Sequence, residues 1–543
     1  MRHLSLLVLL VSSSALAADG NRLAYLDEPL NPYYPHRNFP KLITPQWVGE
    51  EGVDCVVTLA IDDMRDPAKY EAFLRPILDR LKKIDGRAPV SIMTCQVKPD
   101  DPQLQAWLKE GLSIECHTFD HPCPCLKDSS LAQAKETYDK CVDLINQIPN
   151  NKPVAFRMPC CDSLNTPSPR FWAEVMHKTT PAGNFLQIDS SVFNLITPLD
   201  KELPDEITLL PSGEERFRRY IPFKNFVNTI EDYPYPYVIG RMCWEFPCVV
   251  PSDWSAQHVQ KPNNPDTVRD LKLALDAVVL KKGVYNLVFH PHGWIRSEQI
   301  VDLIDYAVTK HGKKVKFLTF KECAERLNKN VYSHDKWPAT GIQQLMAQTD
   351  LVDLNDDGFM DVESWPRGFN RTWSAVKKEW VYKGTGLKGQ GIYDWSYHLD
   401  IDGDGGMDVI GLWSKYEFKF SLKKGGLLEE KIDFPISSVK HGFLRLIDVD
   451  GDGDRDFLYS NSERYCLYLF KDMKEGWATK VFDEVRGKET GTAPVIPPFV
   501  RADGTNNGAF FHSGALCVIN EDTARLPNHV QIITFAEMLR DPA

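Results

Sequence analysis

Two adjacent carboxylates, Asp62 and Asp63, stand at the end of an apolar run, Val53 to Ile61. Such a pair can face two ways, one group toward a cation and one toward a substrate, although it also fits an ordinary helix N-cap. His117 and His121 lie four apart in His117-Thr118-Phe119-Asp120-His121-Pro122. On one face of a helical turn two such imidazoles reach a single cation, and two separate surface histidines are the plainer reading. A third cluster is Phe156-Arg157-Met158-Pro159, and a fourth is Leu287-Val288-Phe289-His290-Pro291-His292-Gly293. These are metal-capable and acid–base residue types.

The elements that must position them alternate. Val53–Ile61 is rich in β-formers, and Tyr70–Lys83 then carries Phe73, Leu74, Ile77, Leu78 and Leu81 at helical spacing. Strands are expected at Pro89–Thr94, Leu112–Glu115, Tyr285–Phe289 and Val315–Thr319, and helices around Leu104–Leu108, Leu131–Ile148 and Ser297–Lys310. Strand–helix alternation implies βα units on a parallel sheet, as a barrel or a doubly wound layer. In such domains reactive groups gather at the C-terminal ends of the strands, which is where the clusters fall.

With these residues in view, the stretch from about 50 to 328 resembles the polysaccharide deacetylase family, the NodB-homology domain of carbohydrate esterase family 4. Ala60-Ile61-Asp62-Asp63 looks like its first motif, and His117 to Pro122 is similar to its H-[ST]-x-x-H-P second motif. Arg157-Met158-Pro159 resembles the third, with Cys160-Cys161 in place of an aromatic residue and glycine. Asp189 looks like the fourth motif, and Leu287 to His290 like the fifth, read as L-x-x-H. The resemblance implies an α/β fold, a distorted (β/α) barrel. It also implies one divalent transition metal, zinc, held by Asp63, His117 and His121. Asp62 would be the general base, oriented by Arg157. His290 would be the general acid, with Asp189 fixing its tautomer and His292 as a rival for the acid role. Leu287 and Pro159 would line the substrate pocket.

Past a polar stretch, Asn328–Asp335, read as a linker, the pattern changes. Three Asp-rich loops recur at a near-constant interval, which marks a repeat architecture. The first holds Asp353, Asn355, Asp357 and Asp361, the second Asp400, Asp402, Asp404 and Asp408, the third Asp448, Asp450, Asp452 and Asp456. Oxygens at positions 1, 3, 5 and 9 with Gly at 6 suit calcium. Position 12 is Ser364, Gly411 or Tyr459, so the bidentate Glu of an EF-hand is missing. The loops resemble the calcium-binding turns of FG-GAP/VCBS repeats, which implies an all-β, propeller-like domain over 340–543. A faded fourth copy falls at Asp503, Thr505, Asn507 and Gly508.

The remaining features set the context. Arg2-His3, the apolar run Leu4–Val11 and Ala15-Leu16-Ala17-Ala18 have the layout of a secretory signal peptide over 1–18. This predicts export, periplasmic or secreted, and no later stretch is apolar enough to span a membrane. A net charge of -12 argues against a nucleic-acid partner. The 543 residues imply two or three domains. Thirteen cysteines suit an exported chain, and disulfides are expected among Cys116, Cys123, Cys125, Cys141, Cys160 and Cys161. A long segment, Ser191 to Val284, with Trp244 and Trp254, could roof the site or offer a sugar-stacking surface. The leading expectation is a metal-dependent deacetylase acting on an N- or O-acetylated carbohydrate. The alternatives are hydrolysis of a non-peptide C–N bond in a small molecule, and a binding or scaffold protein with an inactive catalytic fold.

Overall fold

A computed structural model describes residues 39–540 except 124, 126–129, 241, 333–340, 348, 356, 365–368, 383–395, 405–407, 415–416, 419–433, 438, 492 and 520–529. The stretch read as a signal peptide therefore lies outside the described residues.

Among the described residues, twelve strands belong to the first region: β1 (Cys55–Met64), β2 (Val90–Thr94), β3 (Ser113–Cys116), β4 (Ala155–Phe156), β5 (Ile188–Asp189), β6 (Phe193–Leu195), β7 (Thr229–Glu231), β8 (Tyr237–Ile239), β9 (Cys243–Glu245), β10 (Cys248–Val249), β11 (Val284–Phe289) and β12 (Val315–Phe317). The main sheet runs β11-β1-β2-β3-β4-β5-β9-β8, with β12 also on β1. All its pairings are parallel except β8 with β9. β1 and β11 are buried almost throughout, which is why their sequences read as continuous apolar runs rather than alternating ones. The strand path is open, so the expected barrel is a half-barrel.

The flanking helices follow from local signals. Asp66 caps the helix Pro67–Asp85 by accepting from the backbone of Ala68 and Lys69, with Pro67 in its first turn and Gly86 beyond its end. Tyr70, Leu74, Ile77, Leu78 and Leu81 form its buried stripe. Asp101, Pro102 and Gly111 repeat the arrangement around the helix Pro102–Glu110.

The segment between β5 and β11 is built into the domain. It contributes β8 and β9 to the main sheet and forms a second parallel sheet, β10-β6-β7. It also carries the helix Asp253–Gln260. Trp244, a candidate for sugar stacking, is fully buried and packs near Tyr332. The polar stretch read as a linker begins as part of the core: Val331 and Tyr332 are buried at the end of a helical turn. Polar Asn328 to Asn330 conceal that anchor in the sequence.

The second region consists of several small antiparallel sheets: β13 (Thr349–Val352) to β16 (Glu379–Tyr382), β17 (Ser396–Leu399) to β19 (Glu417–Phe418), β20 (Leu444–Ile447) to β23 (Thr479–Val485), and β24 (Ala509–His512) to β26 (Val530–Thr534). No propeller ring is seen among the described residues. Each of the three Asp-rich loops joins the first two strands of its sheet. The second and third loops touch, since a Cβ on Gly403 would come within 2.8 Å of the Gly453 carbonyl carbon. The outer sheets dock on the first region. Gln46 donates to the Met360 carbonyl at 2.8 Å, and Phe510 and Cys517 join the main core.

Candidate active site

The chemistry-bearing residues meet at the C-terminal end of the main sheet. On β1 the pairing with β2 slips between Ile61 and Met64, and Asp63 takes a left-handed φ of 68°. That bulge gives the adjacent carboxylates different surroundings. Asp62 is buried and accepts from Arg157 Nη1 at 2.7 Å. Asp63 turns to the histidines: its Oδ1 lies 3.2 Å from His117 Nε2 and 2.6 Å from His121 Nε2.

The two histidines do not share a helical turn. They sit on an irregular loop after β3 in which Thr118 and His121 have φ of 61° and 56°. Left-handed backbone at non-glycine residues costs of order 1–3 kcal/mol each, and concentrates where function requires it. Burial alone would raise the Asp63 carboxyl, but the facing imidazoles of His117, His121 and His292 outweigh it and hold the group well below the usual carboxylate range.

Donor atoms of Asp63, His117 and His121 all lie within 4.8 Å of one another. His117 Nδ1 donates to the Arg157 carbonyl at 2.8 Å, which leaves Nε2 as a lone-pair donor aimed at the cluster. Two imidazoles and a carboxylate are a suitable set for a divalent transition metal, with positions left open.

Arg157 is the central strut. It is fully buried, and besides Asp62 it donates from Nε to the Ser190 carbonyl at 2.8 Å and from Nη2 to Ser190 Oγ at 2.7 Å. Asn286 on β11 completes the network, accepting from Thr58 at 2.9 Å and donating to Ser190 Oγ and the Phe246 carbonyl at 2.8 Å each.

His290 follows β11. Its Nδ1 lies 2.8 Å from Asp253 Oδ1, and its backbone N–H donates to Asp253 Oδ2 at 2.8 Å. Burial pushes the imidazole down, but the charge and hydrogen bond of Asp253, backed by Asp62 and Asp63, raise it to about 10. Asp162, held by Ser252 Oγ at 2.9 Å, is raised by burial to about 6. Trp294 packs edge-on to His290 and His292, with ring centroids 4.9 and 5.1 Å away.

Several expectations require correction. Asp189 is not the partner of His290; Asp253 is. Asp189 is buried on β5, where it accepts from Ser191 Oγ at 2.8 Å and Trp172 Nε1 at 3.2 Å. Burial raises both it and the neighbouring Glu245, with which it shares a hydrogen bond. Leu287 is also misplaced. Register pairs Thr58 with Asn286, whose side chains bond on the site face. Strand alternation then sends Leu287 to the opposite face, while Val288 stays on the side of Asn286. Pro159 is buried next to Cys160, whose φ is 60°.

Of the cysteine cluster, Cys123 and Cys160 form the disulfide, tying the histidine loop to the loop after β4. Cys116, Cys125, Cys141 and Cys161 are buried thiols. Cys141, for one, donates to the Thr94 carbonyl at 3.2 Å. The sequence around Asp253, Ser252-Asp253-Trp254, signals only a helix start and does not mark the residue as a partner of His290. His292 and Trp294 carried a signal in their placement directly after a strand.

In the second region, carboxylates converge at Asp400, Asp402 and Asp404, and at Asp448, Asp450 and Asp456. The side chain of Asp408 lies outside the described residues. Asp361 and Asp456 also bind backbone: Asp361 accepts from Leu354 and Trp373, and Asp456 from Val449 and Phe470, at 2.8 to 3.0 Å. Position 9 of those two loops is thereby stapled to the sheet. Asp353 instead gathers the N–H groups of Asn355, Asp357 and Gly358.

Residues 50–168 match the family model for polysaccharide deacetylase, a span that includes Asp62, Asp63, His117, His121 and Arg157. No curated protein matches the chain. Among solved structures, the chain is similar to a probable polysaccharide deacetylase from Pseudomonas aeruginosa PAO1, with 13% identity and a TM-score of 0.34 over 53% of this chain and 95% of that one. It is similar to peptidoglycan deacetylase PdaC from Bacillus subtilis, with 16% identity and a TM-score of 0.24 over 50% and 92%. A third is the catalytic domain of a peptidoglycan N-acetylglucosamine deacetylase from Eubacterium rectale ATCC 33656, with 12% identity and a TM-score of 0.27 over 50% and 90%. No helix among the described residues is long and apolar enough to cross a membrane.

Proposed function

We propose that the protein is an exported, metal-dependent deacetylase that removes acetyl groups from a carbohydrate. The observation that carries this reading is the meeting of three groups at one sheet end: the Asp63–His117–His121 donor set, the Asp62–Arg157 pair and the Asp253–His290 pair. A divalent transition metal bound by Asp63, His117 and His121, with zinc the best fit to two imidazoles and a carboxylate, supplies Lewis acidity to an acyl carbonyl and to water.

This chain's own residues do the rest. Asp62, held by Arg157, takes a proton from the attacking water. His290, kept protonated by Asp253, returns one to the leaving nitrogen or oxygen on the far side of the scissile bond. Placing a base and an acid on different strands lets each act on a different atom of one substrate. The half-buried Trp294 packs beside the acid.

Export is supported by the N-terminal sequence and by the Cys123–Cys160 disulfide, a feature of oxidising compartments. The acidic loops of the second region suit calcium in a structural role, and their repetition at the same strand junction supports the FG-GAP/VCBS-like, propeller-type reading.

The test is acetate release by the metal-loaded protein from N-acetylated chitooligosaccharide, peptidoglycan fragments and acetyl-xylan. Release from one of these is expected. No release from any, with metal bound, overturns the carbohydrate assignment and favours a small C–N substrate.

A further inference from the structure

We propose that His292 is a positioning residue of the metal site: its Nε2–H holds the outer oxygen of Asp63, so that the carboxylate offers Oδ1 alone to the metal. The proposal rests on Asp63, His117 and His121 being the ligands.

Three imidazoles surround Asp63, but they do not approach it alike. His117 and His121 both point at Oδ1, at 3.2 and 2.6 Å. His292 arrives from the other side, from the loop after β11, and its Nε2 lies 2.9 Å from Oδ2. Beyond it, Lys69 Nζ lies 3.3 Å from His292 Nδ1.

That last contact decides the role. An ammonium group only donates, so Nδ1 accepts and carries no proton. The ring proton is then on Nε2, which donates to Oδ2 and has no lone pair for a cation. His117 is the mirror case: its Nδ1 donates to the Arg157 carbonyl, which leaves Nε2 bare for a metal. Two histidines beside one carboxylate thus hold opposite tautomers, one suited to ligation and the other to holding the ligand.

The supporting geometry comes from three elements. Lys69 is in the first turn of the helix Pro67–Asp85, which Asp66 caps directly after β1. The His292 ring lies near-parallel to that of His290, 5.6 Å between centroids, and edge-on to Trp294. Gly293 follows with a φ of 85°, which lets the chain turn back immediately after the histidine.

The chemical consequence is a matter of coordination number. A carboxylate with both oxygens free can chelate and occupy two positions. With Oδ2 engaged it occupies one, and three protein donors leave space for water and a substrate carbonyl.

The experiment uses the full chain stripped by chelator and titrated with Zn²⁺ against a chromophoric competitor, and with Co²⁺ for its visible spectrum. Wild type should bind at a site that His117→Ala removes. His292→Ala should weaken that site about 10- to 100-fold, the usual effect of losing a group that orients a ligand. Its Co²⁺ absorption should fall as Oδ2 joins the metal. His292→Gln, with an amide N–H near the same place, should recover most of the affinity, and Lys69→Met should weaken it by less.

Unchanged affinity and spectrum in His292→Ala overturn the proposal alone. Loss as complete as in His117→Ala, without rescue by His292→Gln, makes His292 a ligand and also overturns it. Wild type that binds no metal at a His117-dependent site instead overturns the reading on which the proposal rests.

Discussion

The Asp253–His290 pair gives the sharpest quantitative prediction. Asp253→Asn keeps the size of the side chain and removes the charge. In the native site His290 is raised to about 10, and after the opposing effect of burial the first cause is the charge and hydrogen bond of Asp253. A general acid works only while protonated, so the rate falls as pH rises through its pKa. Neutralising Asp253 removes the two largest raising contributions against burial, and an imidazole at about 6.5 would be only about 3% protonated at pH 8. The variant should therefore lose about 30-fold in kcat at pH 8 from protonation alone, and much less than twofold from this cause at pH 6. Lost orientation adds a pH-independent decrease, because an Asn amide can present N–H to Nδ1 and favour the wrong tautomer. Acetate release by metal-saturated enzyme, followed from pH 5.5 to 10, separates the two effects. An alkaline limb unmoved between wild type and variant, with kcat within twofold throughout, would refute the assignment of His290 as acid and Asp253 as its partner.

Other consequences follow from the same geometry. Asp189→Asn should leave the alkaline limb of that pH profile at its wild-type position, since Asp189 bonds Trp172 and Ser191 rather than His290; a displaced limb would restore it as the partner. Arg157→Met should destabilise the protein by about 3–5 kcal/mol in urea unfolding, because it leaves Asp62 buried without its ion pair. Removing the Cys123–Cys160 bridge, which closes a separation of 37 residues, should cost about 3–4 kcal/mol, read as a fall in the denaturant midpoint of Cys123→Ser. Calcium at a hundredfold excess over its Kd should stabilise the second region by about 2.7 kcal/mol, and an Asp448→Asn/Asp450→Asn variant should lose that portion of the thermal shift.

Much of the first region was legible because its signals are local. Apolar runs gave β1 and β11, and the helical stripe from Tyr70 to Leu81 gave the helix behind them. Asp63, His117 and His121 were legible as types at strand ends, and the structure brings them together. What escaped depends on contacts distant in sequence. Asp253 lies 37 residues before His290, inside a segment with little periodicity, and nothing local marks it as a partner. Asp189 has the right residue type at the end of a short strand, yet its carboxylate turns into a buried pair with Glu245. Leu287 was assigned through its likeness to the L-x-x-H motif, whereas period-two alternation puts Val288, not Leu287, on the face of Asn286. The irregular loop of His117 and His121 could not be read either, since left-handed φ at the β-branched Thr118 runs against residue preference and is held by the surrounding structure. In the second region the Asp spacing located the strand junctions, whereas the arrangement of the sheets relative to one another has no sequence periodicity to reveal it.

On the proposed mechanism, acyl hydrolysis requires a metal held by Asp63, His117 and His121. The most direct test is to strip the purified protein of metal, measure acetate release, and then restore one equivalent of Zn²⁺, alongside a His117→Ala/His121→Ala variant. Stripping should abolish release, Zn²⁺ should restore it, and the double variant should neither retain the metal nor release acetate. Undiminished acetate release from the stripped protein or the double variant would contradict the mechanism.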